Sequence, residues 1–288
     1  QHMIARMKRI LRRSVWALHQ QVRAGSFVPR GFEVAFQAVE DLEAVNIALS
    51  GQEKMRLKGR IDRVDVCEDE TAVYVKVVDY KSGNTSFDLV SLYYGLQLQL
   101  VVYLNAAMEM EKRLHPDKQV IPAGIFYYRV KDPMLDGSRE QTPEEINQEI
   151  LKKLRMDGIV NSDPGVIDRL DRDCGSSSSV IPAGRKADGS LSALSSAAST
   201  ERLDELSDFV QGKLQTLGKE ILSGKISAHP YRRKQRKACD YCVFSDLCGF
   251  DPGLPGAKYR ELADMDREQV WAKIEEEEQE QGEENTEM

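Results

Sequence analysis

The sequence predicts an α/β fold with a small central mixed sheet, helices on both of its sides and a cysteine-ligated module near the C-terminus. Three observations carry that expectation. Helical periodicity at Ile4 to Arg23, around Asp88 to Leu114 and from Thr200 to Leu222 alternates with runs rich in β-branched and aromatic residues. Two of those runs, Gly59 to Asp65 and Val73 to Gly83, flank a polar turn at Glu68 to Glu70 and so read as an antiparallel hairpin. Cys239-Asp240-Tyr241-Cys242 is followed by a third cysteine, Cys248, and thiolates at this spacing can converge on one metal centre.

Composition bounds what the chain can be. With 288 residues and 41% hydrophobic content it can bury one substantial core with a small appended module. No apolar run reaches the length of a membrane span, and the N-terminus lacks a signal-peptide core. Gln1-His2-Met3 reads as a cloning scar, which makes the chain an excised piece of a longer subunit. Five cysteines, three of them bunched, point to metal binding in a reducing cytoplasm and away from a secreted disulfide scaffold. The net charge is −7, but eight glutamates fall between Glu275 and Met288, leaving 39 acidic against 40 basic side chains elsewhere. Basic residues cluster at Arg6 to Arg13 and at Arg232 to Lys237, and local patches on a neutral body suffice for phosphate contact. No Gly-x-x-x-x-Gly-Lys-Ser/Thr is present, so this piece is not itself an ATP-driven motor.

Taken in order, Ile4, Met7, Ile10, Leu11, Val15 and Leu18 set the apolar face of a first helix that Gly25 ends. His19 on it reads as an ordinary surface or half-buried histidine. Phe32 to Val39 reads as a strand and Asp41 to Ala48 as an irregular or helical connection, with Glu33 an edge acid paired to an arginine. In the hairpin, strand alternation points Asp79 and Lys81 to one face and Tyr80 to the other, and antiparallel pairing brings Asp62 near Asp79. Two close carboxylates repel unless a divalent cation neutralises them, and hard oxygen ligands suit magnesium or manganese. Charges closing the apolar run Val73 to Val78 are costly unless they serve a purpose, whereas Arg60, Arg63 and Asp65 read as ion pairs of a surface hairpin.

Ser86 and Asp88 read as caps of one long helix to about Leu114, on which Gln99 and Tyr103 lie one turn apart beside a core stripe of Leu96, Leu100 and Leu104. Ile121 to Lys131 reads as a strand and Pro143 to Met156 as an acidic helix. The glycine, serine and aspartate of residues 157–200 read as a long flexible excursion with one short helix near Val166, and Cys174 in it as an exposed thiol. An Asp-Gly turn is expected at Lys186 to Ser190. The module at 201–260 holds the Thr200 helix and the cysteines, and 261–288 a short helix around Trp271 followed by a disordered acidic tail.

Gly59-x-x-Asp62, the strand ending Asp79-Tyr80-Lys81-Ser82-Gly83 and the helical Gln99-x-x-x-Tyr103 together resemble the RecB-like PD-(D/E)xK nucleases. Within them the chain resembles the C-terminal nuclease domain of AddB-type helicase/nuclease subunits, with the nuclease core at 4–156. The resemblance implies a restriction-endonuclease-like sheet and magnesium or manganese held by Asp62, Asp79 and the Tyr80 carbonyl. It also implies assistance from Lys81, with Gln99 and Tyr103 against the active site. It implies further that Cys239, Cys242 and Cys248 ligate a 4Fe–4S cluster, although cysteine spacing alone leaves zinc open. The fourth cysteine and a histidine ligand in this family lie upstream, and neither Cys67, Cys174 nor His19 matches them, so the cluster is expected to be absent or incomplete here. Single-stranded DNA as substrate, double-strand-break repair and an AddA-type helicase partner are implied in the same way. The rival readings are a non-catalytic DNA-binding or scaffolding module that keeps the nuclease fold, and a zinc-binding structural domain.

Overall fold

The hairpin expected from the sequence forms the second and third strands of a six-stranded sheet. In the computed structural model, which describes residues 2–36, 42–135 and 141–286, β4 (Arg60–Glu68) and β5 (Ala72–Lys81) pair antiparallel from Glu68↔Val73 to Arg63↔Val78. Asp69 closes the turn by accepting from the backbone N–H of Thr71 at 3.0 Å and of Ala72 at 2.9 Å. These donors hold its carboxyl down at about 2. The sheet is completed by β1 (Val28–Ala35), β6 (Gln119–Arg129), β7 (Asp157–Asn161) and β8 (Ala197–Ala198), in the order β1-β4-β5-β6-β7-β8. It is mixed, as expected: β5 with β6 and β7 with β8 are parallel, and the other neighbours are antiparallel. Val39 and Asp41, where two expected elements end or begin, lie outside the described residues, while Asn46–Ala48 is a strand, β2, paired with β3 (Lys54–Arg56).

A parallel β5–β6 pair needs a crossover, and the chain supplies it with two helices where the sequence predicts one. Asp88 caps α2 (Leu89–Tyr93) by accepting from Val90 N, and α3 (Gln99–Leu114) starts afresh. Between them Gly95 takes φ +80°, a conformation that costs glycine little. The break lets α3 lie across β5 and β6 with Leu100, Val101 and Leu104 buried on Val73, Val75 and Val77. Phe36, Phe209 and Trp271 join this core, and each such side chain is worth about 1.5–3 kcal/mol of burial. They reach it from the strand end, from α6 (Thr200–Leu222, as expected) and from α8 (Arg267–Thr286).

The opposite face packs Val78, Phe126 and Tyr128 against Phe27, the α5 (Pro164–Leu170) residues Val166, Ile167 and Leu170, and Ile181. Much of that layer comes from residues 157–200, so the expected excursion is corrected: the segment contributes two strands, a helix and core residues. Its polar composition misled because the serines and aspartates are spent on backbone groups. Ser178 Oγ donates to Asp171 and accepts from Val180 N and Ile181 N. Cys174 is buried, not exposed, and burial raises its thiol pKa. The Lys186–Ser190 turn forms as expected, with Gly189 at φ +83°.

Helix α1 (His2–Ala24) forms, but of its expected apolar face only Ile10 and Leu18 are half-buried, Leu18 packing on the core. Ile4, Met7, Leu11 and Val15 are more than half exposed, while Ser14, Ala17 and Gln21 are buried. Small side chains let the helix approach closely. Ala17 packs on Ile150, Leu151 and Leu154 of and beside α4 (Pro143–Lys153), Gln21 Nε2 donates to Leu154 O at 3.0 Å, and Tyr128 OH donates to Ser14 O. The acidic tail is corrected too: α8 runs unbroken to Thr286, with Trp271 buried and Glu277 accepting from Tyr93 OH at 2.5 Å. Arg63 and Asp65 pair as expected but are buried rather than on a surface hairpin. Among the described residues, no helix is long and apolar enough to cross a membrane.

Candidate active site

Register places the two carboxylates. The β4–β5 ladder ends at Arg63↔Val78, and the next positions along both strands are Asp62 and Asp79, which therefore share a face of the sheet. There the ladder gives way to a side chain, because Tyr80 N donates to Asp62 Oδ2 at 2.8 Å. Asp79 is buried, and burial raises its carboxyl above the usual range; Lys81 pulls it back down and the Asp62 charge adds to the rise. Asp79 Oδ2 lies 2.6 Å from Lys81 Nζ, but no donor is aligned on it for a hydrogen bond. The Lys81 ammonium supplies part of the positive charge that a buried carboxylate beside a second one requires.

Lys81 joins this pair to α3. Its ammonium also donates to Gln99 Oε1 at 3.0 Å, and Gln99 Nε2 donates to Tyr103 OH at 2.7 Å. The amide orientation is fixed by chemistry, since an ammonium only donates and so must face the amide oxygen. Tyr103 OH, already an acceptor, keeps its own proton free to donate. Burial raises its pKa, with Asp79, Asp62 and Glu33 adding to the rise and Gln99 opposing, so it stays protonated at neutral pH. All five expected side chains, Asp62, Asp79, Lys81, Gln99 and Tyr103, are thus joined by contact or register. Tyr80 shares only its main chain with them: its ring lies on the other face, edge-on to Tyr128 with centroids 5.9 Å apart. Glu33 is ion-paired to Arg60 at 2.9 Å, as expected of an edge acid, and His19 is exposed.

Two contributors have no signal in the sequence. Tyr127, opposite Asp79 in the parallel β5–β6 register, sits with its ring centroid 5.1 Å from Lys81 Nζ, and burial with the nearby Asp79 charge pushes its phenol up to about 12. Phe36 lies against Gly59, where a Cβ would come within 2.5 Å of its ring, and tilts onto Tyr103 at 6.0 Å. Gly59 is therefore glycine for packing: Phe36 occupies the space of its side chain and buttresses Tyr103.

Two carboxylates at one strand end, one with a buried oxygen lacking an aligned donor, are a hard-oxygen set that fits a small divalent cation. Among the described residues no three His, Cys, Asp or Glu side chains group to hold a metal, which leaves the other positions to main-chain oxygen and water. By the same finding the expected iron–sulfur module is not assembled. Cys239 and Cys242 are half-buried, on and just after a 3-10 turn (Ala238–Tyr241), Cys248 is exposed at the end of α7 (Ser245–Cys248), and the three are not gathered into a metal-binding group. As placed, they do not fit a cubane cluster.

Residues 1–249 match the family model of the PD-(D/E)XK nuclease superfamily, and the chain belongs to that superfamily. Within it, the chain is 41% identical over 282 residues to the B subunit of the ATP-dependent helicase/deoxyribonuclease of Clostridium acetobutylicum, covering 98% of this chain and 24% of that protein. It is 40% identical over 287 residues to the protein of the same name from Lachnoclostridium phytofermentans, and 38% over 274 residues to that of Alkaliphilus oremlandii, covering 96% and 95% of this chain and 24% of each relative. The chain thus spans about a quarter of the length of the relatives it matches.

Proposed function

We propose that this chain is a magnesium- or manganese-dependent deoxyribonuclease domain that hydrolyses phosphodiesters of single-stranded DNA. Its setting would be a cytoplasmic helicase–nuclease complex, with an AddA-type partner, processing double-strand breaks for recombinational repair. The observation that carries the reading is the shared face of Asp62, Asp79 and Lys81, tied through Gln99 to Tyr103.

Asp62 and Asp79, with the Tyr80 carbonyl, would hold the cation. A metal bound there supplies charge for the phosphoryl oxygens and a bound water of lowered pKa. The protein's own groups do the rest. Asp62 is oriented by the Tyr80 N–H, so its second oxygen is left to turn toward the cation. Lys81, a quarter exposed beside Asp79, presents a cation toward the attacking water or the phosphoryl oxygens. Gln99 holds Lys81 on one side and Tyr103 on the other, which aims the Tyr103 proton into the site as a donor to a phosphate oxygen. Hydrolysis joins a water oxygen to phosphorus and releases a sugar oxygen, so a phosphate terminus and a hydroxyl result.

Cleavage of end-labelled single strands with and without magnesium tests the reading, with Asp79→Ala as the control. Retention of wild-type cutting by that variant, or full cutting in a chelator, removes the site assignment, whereas strand binding without any cutting by the wild type leaves a DNA-binding module.

A further inference from the structure

A second group of charges lies directly behind the carboxylates, on the other face of β4 and β5. Arg63, Asp65 and Lys76 are 5%, 0% and 3% exposed. Arg63 grips Asp65 with both prongs of its guanidinium, Nε to Oδ1 and Nη2 to Oδ2, each at 2.6 Å. Lys76, the residue paired with Asp65 across the strands, places Nζ 3.3 Å from Oδ2 and 5.0 Å from the Phe27 ring centroid. Two cations against one carboxylate leave excess positive charge in apolar surroundings, and burial depresses the Lys76 pKa. Stability does not account for such a group, because well-packed apolar side chains in place of a buried ion cluster are often as stable or more so.

Tyr80 connects the two faces. Behind the sheet its hydroxyl accepts from Arg63 Nη1 at 3.4 Å, and in the strand its N–H donates to Asp62 Oδ2 at 2.8 Å. Arg63 is therefore clamped by Asp65, and Tyr80 is held from behind by Arg63. We propose that Arg63 and Asp65, braced by Lys76, are positioning residues that act through Tyr80 to fix Asp62 and, through the strand register, Asp79. A slip of one residue would exchange the two faces, placing Arg63 in the site and Asp62 in the apolar layer. The ion cluster opposes that slip because it can be satisfied only where Arg63, Asp65 and Lys76 meet. This inference rests on the proposed function, since what is positioned is its metal site.

Three variants separate the two. Arg63→Met, Asp65→Leu and Lys76→Met combined replace the cluster by apolar groups; Tyr80→Phe removes only the link; Asp79→Ala is the reference. For each, the melting temperature, manganese affinity by calorimetry without DNA, and single-strand cleavage are measured. The combined variant should melt near wild type yet bind manganese about 10–100-fold more weakly, the usual cost of losing groups that orient a metal ligand. Tyr80→Phe should fall in the same direction, by about 10-fold. A purely structural cluster would shift melting and leave affinity unchanged. Wild-type affinity in Tyr80→Phe and in any folded combined variant, while Asp79→Ala abolishes binding, overturns this inference alone. Unchanged affinity in Asp79→Ala overturns the metal site and this inference together. If the combined variant does not fold, Tyr80→Phe decides.

Discussion

Lys81 Nζ stands 2.6 Å from Asp79 Oδ2, a buried oxygen with no aligned hydrogen-bond donor, and it reaches that position from the next residue on the same strand face. The lysine thus stands in for part of the positive charge that the buried carboxylate requires. Removing Asp79 should leave Lys81 held by Gln99 and the Tyr127 ring. Asp79→Ala should lower single-strand cleavage by roughly a hundredfold or more while leaving strand binding nearly intact, as read by gel shift beside a cleavage time course. Lys81→Ala should resemble it.

Asp79 also sets a pH dependence. Its folded-state pKa is raised, chiefly by burial, so the protonated acid is favoured in the fold. Its stabilising contribution is complete below the ordinary carboxylate range and is lost as pH rises through the raised value. Magnesium must displace that proton, so affinity should climb with pH across the same window. Asp79→Asn should melt no lower than wild type at neutral pH without metal, and should lose the magnesium-induced gain. Thermal melts across the acid-to-neutral range, with and without magnesium, check both statements.

Asp62 should be needed for the cation as much as Asp79. At a magnesium concentration about 100 times the dissociation constant, binding stabilises the fold by about 2.7 kcal/mol. Asp62→Asn should abolish that gain and the cleavage with it. Calcium should stabilise wild type yet support little cutting, and a chelator should stop cleavage by wild type altogether.

Gly59 offers a test of packing at a distance from the charges. A Cβ there would meet the Phe36 ring at 2.5 Å, and Phe36 leans on Tyr103. Gly59→Ala should cost about 1–3 kcal/mol, the usual range for overpacking, and lower cleavage by displacing Tyr103. Combining it with Phe36→Leu, which makes room, should recover stability in a denaturant titration.

The cysteines make a prediction about cofactor content. With Cys239, Cys242 and Cys248 not gathered, the chain purified anaerobically should carry far less than stoichiometric iron and labile sulfide. A stable stoichiometric cluster would show that this segment rearranges around a fourth ligand.

What the sequence determined by itself was whatever depends on local periodicity. Strand alternation between Gly59 and Gly83 settled that Asp62, Asp79 and Lys81 share a face and that Tyr80 does not, and i,i+4 spacing set Gln99 beside Tyr103. The tertiary structure decided everything that needs a partner from elsewhere in the chain. The apolar stripe of α1 pointed inward by its period, yet close approach to α4 and Tyr128 selected the small-residue side. The polar run of residues 157–200 looked unable to bury itself, because composition does not show that Ser178 and Asp171 satisfy one another and the backbone. Gly95 splits the crossover helix although a glycine in a helical pattern is often tolerated. Tyr127 and Phe36 enter the site through strand register and ring packing, relations between residues distant in sequence. Arg63 and Asp65 are legible as ion-pairing residues but not as a buried pair, since the apolar cluster on their face of the sheet is assembled from Phe27 and from residues distant in sequence such as Phe126, Tyr128 and Ile167. Covalent order fixes which face a residue takes; only the assembled layers fix what that face meets.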